Sequence, residues 1–173
     1  VYVDITNFDI EEKIVGDILQ KRQKISSTEE SVIAVGNTED NSYIEVRIPT
    51  GAVTTDTIIK VKNDVENPPA IKNLEKIQLY DITFETGQTT LQNDATAEIT
   101  ISYPDDDNDG LVDETSIKEK DLSIFSYNAT HGFWERKNTT KIDKDKNTCK
   151  ANVKHFSVYG LFKAVTSNLD DIL

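Results

Sequence analysis

The 173-residue chain carries a formal net charge of −12, and 36% of its residues are hydrophobic, enough to bury the core of one domain of ordinary size. This negative charge argues against nucleic acid as a partner, and no apolar run reaches the roughly 18 residues that direct insertion across a membrane requires. Cys149 is the only cysteine, which excludes an intrachain disulfide and a cysteine-rich zinc site.

The first thirty residues differ in pattern from the rest of the chain. Asp9 followed three residues later by Glu12 is typical of a helix start, and apolar residues recur at helical spacing at Ile10, Ile14, Val15, Ile18 and Leu19. This pattern predicts a short amphipathic helix over residues 9–24 and a polar linker from Ser26 to Glu30. Residues 1–30 would then form an N-terminal arm, helical or extended, that covers the domain or reaches a neighbour.

From residue 31 to residue 173 the pattern predicts one β-sandwich. Apolar and polar residues alternate along short runs, so one face of each strand should be buried. The nine predicted strands are residues 32–35, 43–48, 57–61, 76–85, 95–103, 122–127, 133–136, 149–153 and 157–163. Short strands separated by turn residues, with no repeat of fixed period, favour an all-β antiparallel sandwich over a solenoid or a propeller.

An acidic run at residues 105–114 carries the strongest chemical signal in the chain. Asp105, Asp107 and Asp109 alternate, so their carboxylates can converge, and the glycine that follows permits a sharp turn around an ion. Leu111 can add its carbonyl and Asp113 a further carboxylate. Hard oxygen ligands in this number favour Ca²⁺ over Mg²⁺, so we predict a structural calcium site; a solvated acidic hairpin is the alternative.

The acidic spacing resembles the thrombospondin type 3 pattern over about ten residues, whereas Ser116 stands where an EF-hand would place its bidentate glutamate. Residues 44–53 resemble the IPxGAV strand and turn of the sandwich domain shared by netrin receptors, ankyrins and zonula occludens proteins. The order of residues 122–127, 133–135 and 154–162 is similar to bacterial and archaeal surface modules of the same sandwich type, in which an acidic loop precedes a Trp-containing hairpin and an HFS strand. The resemblance spans residues 40–163.

In the animal relatives, and in self-cleaving adhesion receptors, a His-hydrophobe-Ser/Thr tripeptide is the site of autoproteolysis. The matching residues are His155, Phe156 and Ser157, so the resemblance implies that the Ser157 hydroxyl, activated by His155, attacks the Phe156 carbonyl in a strained turn. This chain lacks the paired cysteines that flank the site in adhesion receptors, which puts their version of the mechanism in doubt. The alternative is an ordinary strand start with Phe156 in the core.

Other chemistries have weaker signals. The chain has no Gly-x-Ser-x-Gly elbow and no glycine-rich phosphate loop. Trp134, beside Phe133, is a candidate platform for carbohydrate, although a core position is commoner for such a residue. Asn128 and Asn138 begin glycosylation sequons.

The chain contains no methionine, even at position 1, which indicates a processed product or part of a longer precursor. We therefore expect a noncatalytic, calcium-stabilised module of an extracellular or cell-surface protein, whose partners are other extracellular domains or copies of itself. Two alternatives are a self-cleaving domain that cuts between Phe156 and Ser157 and a fibre subunit whose residues 1–30 complete a neighbour's sheet.

Overall fold

The computed structural model describes residues 10–15, 18–37, 42–63, 65, 69–71 and 74–163. These residues form twelve strands: β1 (Ile10–Val15), β2 (Ile18–Ile25), β3 (Ser31–Asn37), β4 (Ser42–Ile48), β5 (Thr57–Lys62), β6 (Glu75–Phe84), β7 (Ala97–Ser102), β8 (Leu122–Asn128), β9 (Phe133–Arg136), β10 (Lys141–Asp143), β11 (Thr148–Val153) and β12 (Val158–Lys163). One turn of 3₁₀ helix, Glu119–Asp121, precedes β8. Within the described residues no helix has the length and apolar character to cross a bilayer.

The strands form two packed antiparallel sheets, which confirms the predicted all-β sandwich. One sheet has seven strands in the order β1-β2-β5-β6-β12-β8-β9, and the other has five in the order β10-β11-β7-β4-β3. Each of the nine predicted strands overlaps a strand of the structure; β1, β2 and the three-residue β10 were not predicted as strands.

The core lies between the two sheets, and the predicted alternation explains which side chains enter it. On β4 and β7 every second residue is apolar, and successive side chains of a strand point to opposite faces. Burying a valine or isoleucine side chain contributes roughly 1.5–3 kcal/mol to the stability of the fold. The alternating residues of these two strands are all at most 1% exposed: Ile44, Val46, Ile48, Ala97, Ile99 and Ile101.

The helix predicted for residues 9–24 is wrong over the described residues. Ile10–Val15 and Ile18–Ile25 are strands that pair with each other, and β2 also pairs along its length with β5. Residues spaced by four lie on one face of a helix, but because four is an even number they also lie on one face of a strand. Pairing with β5 settles the choice, and it places β2 within the seven-stranded sheet. Residues 1–9 of the predicted arm lie outside the described residues.

Four aromatic rings form a second apolar cluster on the face of the seven-stranded sheet that points away from the core. Phe162 follows the core residue Leu161 on β12, so its ring points to the opposite face. It contacts the ring of Phe125 edge-on at 5.5 Å and that of Trp134 at 4.9 Å, and Trp134 in turn lies 5.5 Å from Tyr127. Phe162 is 0% exposed, so this small cluster is densely packed.

Candidate metal site and the His155–Ser157 segment

The acidic loop connects β7, the middle strand of the five-stranded sheet, to β8 of the other sheet. Its two ends are tied together, because the amide of Asp113 donates to the carbonyl of Pro104 at 2.9 Å. Val112 and Ile117 are buried beneath it, and the Val112 amide donates to the Ile117 carbonyl at 2.9 Å. The buried side chains of Val112 and Ile117 therefore hold the charged loop against the sandwich.

The three alternating aspartates converge, as the spacing predicts. One carboxylate oxygen each from Asp105, Asp107 and Asp109 lies within 4.8 Å of the others. Asp105 is 1% exposed, while the other two are exposed. The Asp105 carboxylate accepts the amides of Asp109 at 3.1 Å and Gly110 at 3.2 Å. Gly110 has φ +84°, a left-handed conformation that glycine adopts without strain and that closes the loop around the three carboxylates.

The predicted Asp113 carboxylate is not part of this group. The carboxylate of Asp113 accepts the Asp106 amide at 3.1 Å, which braces the start of the loop. Leu111 donates its amide to the Asp109 carboxylate at 2.8 Å and forms a β-bridge with Lys118. The structure therefore brings together three of the four predicted carboxylates, and the metal-binding role of these four residues and of the Leu111 carbonyl stays a prediction.

Glu119 is a further carboxylate of this region that the sequence analysis did not single out. It is 3% exposed, its amide donates to the Gly110 carbonyl at 3.1 Å, and its carboxylate accepts the Tyr103 hydroxyl at 2.9 Å. The Lys144 ammonium lies 3.2 Å from the same carboxylate. Burial, together with the hydrogen bond to Glu119, raises the pKa of Tyr103. Because two lysines flank Glu119 in the sequence, it looks like one charge of a solvated segment, and only the fold reveals its burial.

Asn147 ties the acidic loop to the turn before β11. Its side-chain amide donates to the Asp105 carbonyl at 2.8 Å, and its own carbonyl accepts the Tyr103 amide at 2.9 Å. The residue is 7% exposed, and its side-chain oxygen has no hydrogen-bond partner among the described residues. Asn147 therefore connects the start of the acidic loop to the β10–β11 hairpin.

The His155–Ser157 segment joins β11 to β12. Phe156 is 2% exposed and contacts the Phe84 ring edge-on at 5.0 Å, so its side chain lies in the core; whether the segment cleaves itself stays a prediction. The Ser157 hydroxyl donates to the Tyr127 carbonyl at 2.7 Å. Burial lowers the pKa of His155 and the nearby Lys137 lowers it further, while Glu135 and a hydrogen bond to the Phe156 backbone oppose this.

The hairpin around Trp134 is held by its own contacts. Trp134 is partly buried in the aromatic cluster rather than in the core between the sheets. The Asn128 side chain donates to the Glu135 carboxylate at 2.5 Å and accepts the amides of Thr130 and His131 at 3.1 Å each. This sequon asparagine therefore shapes the turn after β8, and His131 is exposed in that turn.

Among these features, the acidic loop has the chemistry best suited to a ligand, because it gathers three hard oxygen donors in one tied loop. The Ser157 hydroxyl has a carbonyl rather than a base as its partner. Comparison with known proteins gives no relative from which a function can be transferred: no protein-family model matches the chain, and no curated protein matches it.

Proposed function

We propose that this protein is a noncatalytic β-sandwich module of an extracellular or cell-surface protein, stabilised by Ca²⁺ bound in the loop from Asp105 to Asp113. The observation that carries the proposal is the approach of the Asp105, Asp107 and Asp109 carboxylates to within 4.8 Å of one another. Negative charges this close repel each other, and a divalent cation among them replaces that repulsion by attraction.

The position of the loop supports a structural role for the ion. The loop leaves the middle strand of one sheet and enters the other sheet, so an ion held there links the two layers of the sandwich. Such an ion binds the folded chain and not the unfolded one, and its binding free energy therefore adds to stability.

Calcium suits this site better than magnesium. Ca²⁺ accepts six to eight oxygen ligands in flexible geometry, so Asp113, the Leu111 carbonyl and water can complete its coordination, whereas Mg²⁺ demands a near-ideal octahedron. Calcium sites of extracellular modules have dissociation constants of roughly 10⁻⁴–10⁻³ M, and an exposed loop with three converging carboxylates fits that weak class.

Thermal unfolding with calcium and with a chelator tests the proposal. At a calcium concentration of about 100 times Kd, we expect Tm to rise by roughly 5–10 °C, since binding then contributes about 2.7 kcal/mol and each kcal/mol shifts Tm by about 2–4 °C in a domain of this size. Magnesium at the same concentration should raise Tm much less.

Two alanine variants of the same loop provide a matched comparison. Asp107→Ala removes a converging carboxylate and should abolish the calcium-dependent shift. Asp106→Ala removes the same charge from an exposed neighbour outside the converging group, so it should retain most of the shift. Equal loss in both variants, or no shift in the parent protein, would show that the acidic loop is only a solvated hairpin.

A self-cleaving domain is the second candidate. It is favoured by the place of His155 beside the Phe156 backbone, an interaction that acts to raise the pKa of the imidazole, next to the bond that the reaction would break. It is disfavoured by the Ser157 hydroxyl, which donates to the Tyr127 carbonyl. Intact-mass spectrometry separates the two functions: the calcium-stabilised module stays whole, whereas self-cleavage divides the chain after Phe156 and is lost in Ser157→Ala.

Assembly into a fibre by strand addition is the third candidate. β2 pairs with β5 of its own chain, so this part of the predicted arm already has a partner. The edge of the five-stranded sheet at β3 favours strand addition instead, because all seven of its residues are uncharged and an exposed, uncharged edge is a template for another strand.

A further inference from the structure

A cleft of about 530 Å³ opens at the end of the seven-stranded sheet where β12 begins. Its apolar floor is the partly exposed Val158, next to the backbone of Phe156, whose side chain is buried in the core. Its walls come from three separate segments: β6, the loop at Thr89 and Thr90, and the turn after β8. This volume is within the range of about 300–1,000 Å³ that is typical of small-molecule sites. The acidic loop contributes no residue to it.

The rim of the cleft carries hydroxyl groups that the fold leaves unused. The side chains of Thr83, Thr89, Thr90 and Thr130 line the cleft and are exposed. None of these four hydroxyls has a hydrogen-bond partner among the described residues, whereas the Ser157 hydroxyl on the floor is engaged with the Tyr127 carbonyl. Since each hydroxyl offers one donor and two acceptor sites, the rim can hydrogen-bond a ligand rich in polar groups.

The charge of the lining disfavours anionic ligands. No lysine or arginine lines the cleft, and Asp81 is its one carboxylate, with the Lys62 ammonium 3.9 Å away. His155 also lines the cleft, and burial lowers its pKa and so favours the neutral imidazole. In a chain whose net charge is −12, phosphate, sulfate and carboxylate groups would therefore gain little from the lining. A metal ion lacks ligands here as well, because among the described residues the converging acidic group lies elsewhere, at Asp105, Asp107 and Asp109.

The surrounding strands argue against an extended peptide. β12, which starts at the floor, is paired on one side with β6 and on the other with β8. No unpaired edge of β12 is left for the main-chain hydrogen bonds by which peptides add to a sheet. A ligand of the cleft must therefore bind through the threonine side chains and the apolar floor.

We propose that this cleft binds a neutral saccharide. A sugar ring presents hydroxyls around its edge and C–H groups on its faces, which match the threonine rim and the apolar floor at Val158. It carries no charge to be repelled by Asp81. The cleft shares no residue with the acidic loop, so saccharide binding and calcium binding can be tested independently.

NMR titration of the isotopically labelled protein tests this assignment. The probes are the neutral tetrasaccharides of glucose (cellotetraose and maltotetraose), mannose and N-acetylglucosamine, with a heparin tetrasaccharide as the anionic comparison. We expect at least one neutral probe to give saturable shifts that map to the cleft residues, with Kd of about 1 mM or lower. The heparin probe should leave these residues unshifted.

The double variant Thr83→Val/Thr90→Val removes two rim hydroxyls with little change of shape and should weaken binding at least tenfold. Thr54→Val is the control, because Thr54 is exposed and does not line the cleft, and it should bind as the parent does. The inference is overturned if no neutral probe shifts the cleft residues, if only heparin does, or if the double variant binds with unchanged affinity. Unaltered amide spectra of both variants show that the fold is intact.

Discussion

Gly160 of β12 stands where any side chain would collide with its neighbours. A Cβ atom there would lie 2.3 Å from a ring carbon of Phe162 and 2.7 Å from a methyl carbon of Leu79. The Phe162 ring is fully buried against Phe125 and Trp134, so it has little room to move. The Phe162 ring covers Gly160 and compensates for its missing side chain. Because the ring occupies that space, packing requires a glycine at this position.

We expect Gly160→Ala to destabilise the fold by about 1–3 kcal/mol, the usual cost of overpacking. Because the collision is with the Phe162 ring, the same substitution should cost much less in a Phe162→Ala background. Urea unfolding of the two single variants and the double variant measures this coupling. Strictly additive effects would contradict the packing explanation.

The position of β3 at the edge of a sheet leaves it open to pairing with a strand of another chain. It is the edge of the five-stranded sheet and pairs with β4 on one side. Ile33 and Val35 point into the core, while Val32, which precedes Ile33, is 36% exposed. On the open side the Val32 carbonyl accepts the side-chain amide of Gln23 at 3.0 Å, which covers only part of the edge. Natural edge strands are commonly protected by lysine or proline, and β3 contains neither.

If strand addition at β3 drives assembly, the protein should self-associate as its concentration rises, and Val32→Lys should shift this association to at least tenfold higher concentration, since a charge on an edge opposes pairing. Thr54→Lys introduces the same charge at an exposed turn position and should associate as the parent does. Sedimentation velocity over a hundredfold concentration range measures the effect. A parent protein that stays monomeric throughout would rule out assembly through this edge.

For the whole molecule, the titration of His155 links pH to stability. Its pKa is lowered in the folded state from an ordinary value of 6.5, chiefly by burial. Between the folded pKa and 6.5 the unfolded chain binds a proton that the folded chain does not, so stability is full above about pH 6.5 and falls as the pH decreases below that value. Lowered pKa values of Glu85 and Glu135 act in the same direction at lower pH, through the range where carboxylates titrate.

We therefore expect the Tm of the parent protein to fall more between pH 7.5 and 5.5 than the Tm of His155→Gln, in which this group cannot titrate. Lys137 lowers the pKa of the same imidazole and Glu135 raises it, so both residues are kept unchanged in the variant. Thermal melts at several pH values within this window provide the measurement. Parallel curves for parent and variant would show that His155 titrates alike in the folded and unfolded chains.

Features that depend on neighbours along the chain can be predicted from the amino-acid pattern. Alternation on β4 and β7 identified residues that the structure buries to 1% exposure or less, because side-chain direction in a strand has a period of two. The alternation of Asp105, Asp107 and Asp109 likewise brought their carboxylates together, since a tight turn at Gly110 makes near neighbours converge. Local periodicity and turn chemistry were enough for both.

Features that depend on distant segments became known from the fold. Residues 18–25 carry a spacing compatible with a helix or a strand, and pairing with β5 made them a strand. Glu119 is buried beneath the loop because Tyr103 and Lys144 meet it from other parts of the chain. The cleft exists because β6, two loops and the start of β12 converge. Pairing and burial are set by contacts far apart in sequence, and no local pattern encodes which segments will meet.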